Sequence, residues 1–184
     1  MKYFTLEWCE GQYGEGITEW NMTADQSYLL YLQELETNGD LSADVLKLAR
    51  LPGVHDAYVM LVRHDKNRHI LALNLRGGDS VMGYYDLSLR YDGADISPEH
   101  EQTLAYIARS TGYTYGPDAL RHELDNTEDG RIEHRFLFHG PFWFAIRCDN
   151  LRWARLPRRN RRFARRFDRF PGGPVTTAHI EREK

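Results

Sequence analysis

The strictest constraint in this chain lies between Ala119 and Trp153. Apolar and polar residues alternate there with the period of two that marks a β-strand with one buried face. Leu120, His122 and Leu124 fall on one face, and Arg121, Glu123 and Asp125 on the other. Beyond Glu128-Asp129-Gly130, the residues Ile132, His134, Phe136 and Phe138 repeat the pattern against Glu133, Arg135 and Leu137. The turn sets the register. A two-residue Asp-Gly turn would place Leu124 against Arg135 and split the apolar face. A three-residue loop, Glu128 to Gly130 with Gly130 left-handed, pairs Leu124 with His134, His122 with Phe136, Leu120 with Phe138 and Glu123 with Arg135. The three-residue loop is therefore predicted. Gly140-Pro141 then turns the chain into a third strand, Phe142 to Trp153, completing a β-meander.

The rest of the chain supplies helices and further strands. Met1 to Cys9 is rich in aromatic and β-prone residues and is predicted as a first strand, followed by a glycine-rich loop from Glu10 to Gly16. Thr23 with Gln26 three residues on forms a capping box. Leu29, Leu30, Leu32 and Leu35 follow at helical spacings, and Asn38-Gly39 closes that helix. A second helix is predicted from Ser42 to Arg50 on Val45, Leu46, Leu48 and Ala49, ended by Leu51-Pro52-Gly53. Ala57 to Val62 and the run holding Ile70, Leu71, Leu73 and Leu75 read as two strands joined by the polar loop Arg63 to Arg68. Gly77-Gly78-Asp79 reads as a turn before a strand from Tyr84 to Tyr91. Ser97-Pro98-Glu99 opens a helix with an N-cap serine, a proline at the first position and an early acid, and Thr111-Gly112 stops it. The expected class is α+β: an antiparallel sheet of about six to seven strands with two N-terminal helices and one mid-chain helix.

Arginine sets the C-terminus apart. Nine arginines stand against one acid, Asp168, between Arg152 and Phe170, whereas residues 1–151 hold thirteen bases and twenty-four acids. The reading is one acidic domain, residues 1–156, followed by a basic segment, residues 157–184. Between Pro157 and the stop Pro171-Gly172-Gly173-Pro174, the side chains Phe163, Phe167 and Phe170 share one face of an amphipathic helix. Arg155, Arg158, Arg159, Arg161, Arg162, Arg165, Arg166 and Arg169 flank them. Four fates stay open for this segment. Its phenylalanines could dock on the sheet, its arginines could bind RNA or DNA by bidentate phosphate contacts, it could lie on a membrane surface, or it could be disordered. A body carrying eleven excess acids argues against a polyanion lying alongside.

At 184 residues, with 41% hydrophobic and 12% aromatic content, the chain can build a substantial core, which excludes global disorder. No apolar run approaches the ~20 residues of a membrane span. The opening residues lack the pattern of a signal peptide, and the two cysteines, Cys9 and Cys148, are too few for a disulfide framework. A cytoplasmic location is expected.

Candidate chemistry concentrates on the hairpin. His122 and His134 share a face and would form a metal site only if a third ligand such as Cys148 converged on them. Standing among leucines and phenylalanines, they read better as satisfied core histidines. Glu123 and Glu133 share the opposite face with Arg121, Asp125 and Arg135, which reads as a solvated ladder of ion pairs rather than an acid–base pair. His64, Asp65 and His69 surround a hairpin loop, where polar residues are expected. No phosphate loop, nucleophile elbow or zinc-protease motif occurs. No catalytic residue, metal or cofactor is assigned.

The opening Met1-Lys2-Tyr3-Phe4-Thr5, with Glu7-Trp8, resembles bacterial proteins of a domain of unknown function that share an M-K-Y-F-T-x-E-W start. Those proteins also carry a C-terminal hairpin of the type H-E-L-D…G-R-x-E-H-R, to which His122-Glu123-Leu124-Asp125 and Gly130 to Arg135 are similar. The resemblance implies a bacterial cytosolic origin and carries no activity.

Three functions follow as expectations. The first is a non-enzymatic protein-binding module whose acidic body engages a basic partner, as small antitoxin and immunity proteins do by charge complementarity. The second is nucleic-acid binding through Arg155 to Arg169. The third is an enzyme with a site on the His122/Glu123/Glu133/His134 hairpin. An exposed sheet edge or the phenylalanine face of the tail could support a homodimer.

Overall fold

A computed structural model describes residues 2–5, 17–52, 54–79, 83–111, 117–140 and 142–158. Three helices and seven strands follow in the order α1 (Ile17–Asn38), α2 (Ala43–Ala49), β1 (Ala57–Asp65), β2 (Ile70–Asp79), β3 (Gly83–Asp92), α3 (Pro98–Ser110), β4 (Asp118–Asn126), β5 (Ile132–Phe138), β6 (Phe142–Cys148) and β7 (Asn150–Pro157). The strands form one antiparallel sheet in the order β6-β5-β4-β1-β2-β3-β7, so the α+β class holds. Among the described residues no helix is long and apolar enough to cross a membrane.

The sheet is two three-stranded meanders, β1-β2-β3 and β4-β5-β6. Only two residue pairs, Ala57 with Ala119 and Tyr58 with Asp118, join them through β1 and β4. The second junction comes from the last strands. β6 and β7 occupy opposite edges of the sheet yet are separated in sequence by Asp149 alone. The sheet must therefore curl until its two edges meet at that residue. Asp95 and Arg147 exchange backbone hydrogen bonds of 2.8 and 3.0 Å there, and the Asp149 N–H donates to the Asp92 carbonyl at 3.0 Å. The single strand expected over Phe142 to Trp153 is thus two: β6 completes the second meander, and β7 crosses to pair with β3 from Tyr85–Pro157 to Asp92–Asn150. The sequence marks the change only faintly: the apolar positions shift phase across the polar pair Asp149-Asn150, from Phe144, Ile146 and Cys148 to Leu151 and Trp153.

Capping chemistry places the helices well. The Ser42 side chain accepts from the Val45 N–H at the start of α2, and Ser97 accepts from the His100 N–H at the start of α3, with Pro98 in the first turn. α1 ends where expected, with the Asp40 N–H reaching back to the Leu35 carbonyl at 3.0 Å. Its start differs. The helix begins at Ile17 and runs through Thr23, six residues before the predicted cap. Only Leu32 and Leu35 of its four leucines are core. Tyr28 takes the remaining inward position, while Leu29 and Leu30 are 50% and 61% exposed.

Three further expectations are corrected. Lys2 to Thr5 are not a strand, because the N–H groups that a ladder would use go to a side chain described below. Gly77-Gly78-Asp79 is not a turn but the end of β2, paired with Tyr85, Tyr84 and Gly83. Gly78 holds φ at +92°, and a Cβ there would collide with the Gly83 carbonyl, so only glycine lets the strand run on at this point. β1 likewise continues through Asp65, which shortens the predicted loop after it.

The core fills the inside of the curled sheet. Phe136 stacks on Phe144 at 5.3 Å between ring centroids, and Phe138 on Phe144 at 5.6 Å, each ring fully buried. Each such side chain contributes about 1.5–3 kcal/mol by burial alone. α3 packs across β1 and β6 through Leu104 and Ile107. The C-terminal helix, with Phe163, Phe167 and Phe170, lies outside the described residues.

Candidate functional site

The β4–β5 hairpin has the predicted register over its turn-proximal half: Leu124 opposes His134, His122 opposes Phe136 and Glu123 opposes Arg135. Gly130 is left-handed at φ +78°, and the Thr127 N–H donates to the Arg131 carbonyl at 2.8 Å, closing a three-residue loop. The pairing of Leu120 with Phe138 fails. A bulge at Leu120 sets Ala119 against Phe138 instead, where Ala119 also pairs with Ala57 of β1.

Pleating sends the four polar residues of this hairpin in opposite directions, so they do not converge on one site. His134 is completely buried and bonded at both ring nitrogens: Nε2 lies 3.0 Å from His122 Nδ1, and Nδ1 lies 2.9 Å from the Tyr91 hydroxyl on β3. His134 also stacks on Phe136 at 4.1 Å. Burial pushes the His122 pKa down to about 4, with the Arg121 charge adding to the effect, and holds His134 well below the ordinary histidine value. Both are neutral core histidines at pH 7. Cys148 joins no cluster with them among the described residues, and burial pushes its thiol up to about 12.

The opposite face is not the solvated ladder expected from alternation. Glu123 is 1% exposed, Glu133 7% and Asp125 8%. The Glu123 carboxylate accepts three consecutive backbone N–H groups, from Lys2, Tyr3 and Phe4, at 2.9, 2.7 and 2.6 Å. Arg135 lies among all three acids, 3.5 Å from Glu123, 3.1 Å from Asp125 and in contact with Glu133. The Tyr31 hydroxyl of α1 donates to Asp125, and the Tyr28 hydroxyl accepts from the Leu124 N–H at 2.6 Å. Burial alone would raise the Glu133 pKa, but Arg147 at 2.7 Å and Arg135 hold it below the usual carboxylate value. Glu123 thus clamps the N-terminus onto the sheet. The length of residue separation hides this role from any local reading.

Of the arginines assigned to nucleic-acid binding, only Arg155 and Arg158 are described, and both contact the chain's own β3. The Arg155 guanidinium lies 4.3 Å from the centre of the Tyr85 ring. Arg158 pairs with Asp86, which also holds buried Arg76 at 2.9 Å, and the Arg158 N–H extends the ladder to the Tyr84 carbonyl. Pro157 is the last residue of β7, and a helix beyond it lies outside the described residues. Arg159, Arg161, Arg162, Arg165, Arg166 and Arg169 lie outside the described residues.

Two places escaped the sequence reading. A cavity of about 440 Å³ opens beside β4, walled by Phe4, Tyr28, Leu29, Leu51 and Val54, with His122 and Arg121 also lining it. Nothing local announces it, since its walls come from four separate stretches of chain. The second is a cluster where β1, β4 and the end of β5 meet. His139 Nε2 stands 3.5 Å from Asp56 and 3.8 Å from Asp118, and His55 Nδ1 is 3.1 Å from Asp56. These spacings suit ligands sharing a divalent cation, so Asp56, Asp118 and His139 are the residues able to hold one among those described. Histidines and acids flanking strand ends were the only sequence signal.

No family model matches this chain, and neither a curated protein nor a solved structure matches it. The likeness of the opening residues and the hairpin to the domain of unknown function rests on those motifs alone.

Proposed function

We propose that this protein is a non-enzymatic binding module that engages a basic segment of a protein partner on the outer face of α1. The observation that carries the reading is that stripe. Gln26, Leu29, Leu30, Gln33, Glu34 and Thr37 recur at helical spacing and are all exposed, with two leucines in the middle. Its described side chains include three acids, Asp25, Glu34 and Glu36, and no lysine or arginine. Apolar anchors within an acidic surround suit a cationic amphipathic partner, with charge steering the encounter and leucines holding it. The hairpin carboxylates and histidines are occupied by structural contacts, which counts against an enzyme built on them. Arg155 and Arg158 contact the body, which counts against these two as phosphate ligands.

The test titrates the full chain with a fluorescent arginine/leucine amphipathic peptide and, separately, with single-stranded RNA of similar length, across a salt series. Expected are salt-sensitive peptide binding, its loss in a Leu29→Ser/Leu30→Ser variant, and no RNA binding. RNA binding without peptide binding would replace this reading with the nucleic-acid one. Binding of neither would end it.

A further inference from the structure

The polar chain behind the cavity has a direction. Tyr91 is fully buried, and burial holds its hydroxyl proton far above the ordinary tyrosine range. Its hydroxyl has one hydrogen-bond neighbour among the described residues, His134 Nδ1. A phenol that keeps its proton in a dry core and has one neighbour donates to that neighbour. His134, being neutral, then carries its single proton on Nε2 and donates it to His122 Nδ1 at 3.0 Å. His122, neutral as well, must carry its own proton on Nε2. The reverse polarity would leave the Tyr91 hydroxyl without an acceptor in the core, a cost the first arrangement avoids.

The Nε2–H of His122 has no hydrogen-bond partner among the described residues, yet the side chain is only 7% exposed and lines the 440 Å³ cavity. A nearly buried donor therefore faces a mainly apolar chamber, within the range of about 300–1,000 Å³ that holds small molecules. The charged side chains lining that chamber are Arg50, paired with Glu36 at 2.6 Å, Arg121 and Asp25. Arg121 pairs loosely with Asp25, at 3.6 Å. A fixed donor beside the loosely paired Arg121 disfavours amines and favours an oxygen that carries negative charge.

We propose that this cavity binds a small carboxylic acid with an apolar body, its carboxylate accepting from His122 Nε2–H beside Arg121 and its body packed against Phe4, Tyr28 and Leu51. The site shares only Leu29 with the stripe proposed for α1, and its test reads His122, which lies outside that stripe.

The test uses 4-phenylbutyrate as probe, with 4-phenylbutyramide and 4-phenylbutylamine as controls, on the full chain labelled with ¹⁵N-histidine. Long-range ¹H–¹⁵N spectra should show His122 as the Nε2–H tautomer before any ligand is added. Titration with the acid should shift that Nε2 resonance, the amide should bind at least tenfold more weakly, and the amine should not bind. His122→Phe should weaken the acid at least tenfold. Because that change sits in the core, Leu51→Trp provides a second variant that fills the chamber from its wall, and it should abolish binding while leaving the His122 tautomer unchanged. An Nδ1–H tautomer at His122, no binding of the acid at millimolar concentration, equal binding of acid and amine, or full binding by a folded His122→Phe protein would each overturn the proposal.

Discussion

The two faces of the β4–β5 hairpin solve the same problem by opposite means. Both bury polar side chains against another part of the molecule. The histidine face is neutral and single-file, with each imidazole losing its charge so that Tyr91, His134 and His122 satisfy one another. The carboxylate face surrounds its acids with donors, with Glu123, Asp125 and Glu133 sharing Arg135 and Glu123 gripping three backbone amides. The lesson is in the covering material. A sheet interior offers few donors, so ionised groups there discharge. A segment outside any ladder, such as Lys2 to Phe4, offers free N–H groups, so a carboxylate beneath it finds donors and holds the segment down.

The comparison predicts unequal costs. Glu123→Ala should be the most damaging change, about 3–5 kcal/mol in denaturant unfolding, because it leaves three backbone amides without their acceptor and removes one of the three acids around Arg135. Amide exchange at Lys2, Tyr3 and Phe4 should accelerate with it. A loss below about 1 kcal/mol would show that the terminus is held by its aromatic packing instead.

The histidine face should reveal itself in pH. Folded His122 titrates at about 4, whereas in the unfolded chain it takes up a proton near 6.5. Between those values the unfolded state binds more protons, so stability falls as pH drops from about 6.5 and levels off below about 4 for this group. The depressed value corresponds to about 3 kcal/mol across that window, with His134 adding loss in the same direction. Unfolding free energies measured from pH 7 to 4 should therefore slope more steeply in wild type than in His122→Asn. Parallel slopes would mean that His122 takes up its proton in the fold as readily as in the unfolded chain.

Smaller effects sharpen the contrast. Tyr31→Phe removes one donor from Asp125 at the rim of the carboxylate cluster and should cost about 1 kcal/mol, seen as a lower melting temperature. Leu30→Ser should change stability by less than about 0.5 kcal/mol, because that side chain is largely in solvent. A larger loss would give Leu30 a role in folding and weaken its assignment to a contact face.

Much of this architecture was legible locally. The hairpin register came from one left-handed glycine and an alternating face, and the helix starts at Ser42 and Ser97 came from their own side chains. The start of α1 was missed because Thr23 can cap a helix but is equally accommodated inside one. For the site, the segregation of His122 and His134 from Glu123 and Glu133 was readable, while its meaning was not. Burial of the carboxylates depends on residues about 120 positions away, and Tyr91 joins the histidines from 43 positions away.

The sequence by itself determined the terms decided within a few residues: strand period, turn handedness, helix caps and the local excess of arginine. Tertiary structure decided which edge β7 would join, whether a polar face would be wet, and where a cavity would remain. The physical reason is that φ preferences, capping bonds and pleat periodicity are satisfied locally. Pairing between distant strands is instead selected by the whole chain, from burial gained against the entropy of closing long loops.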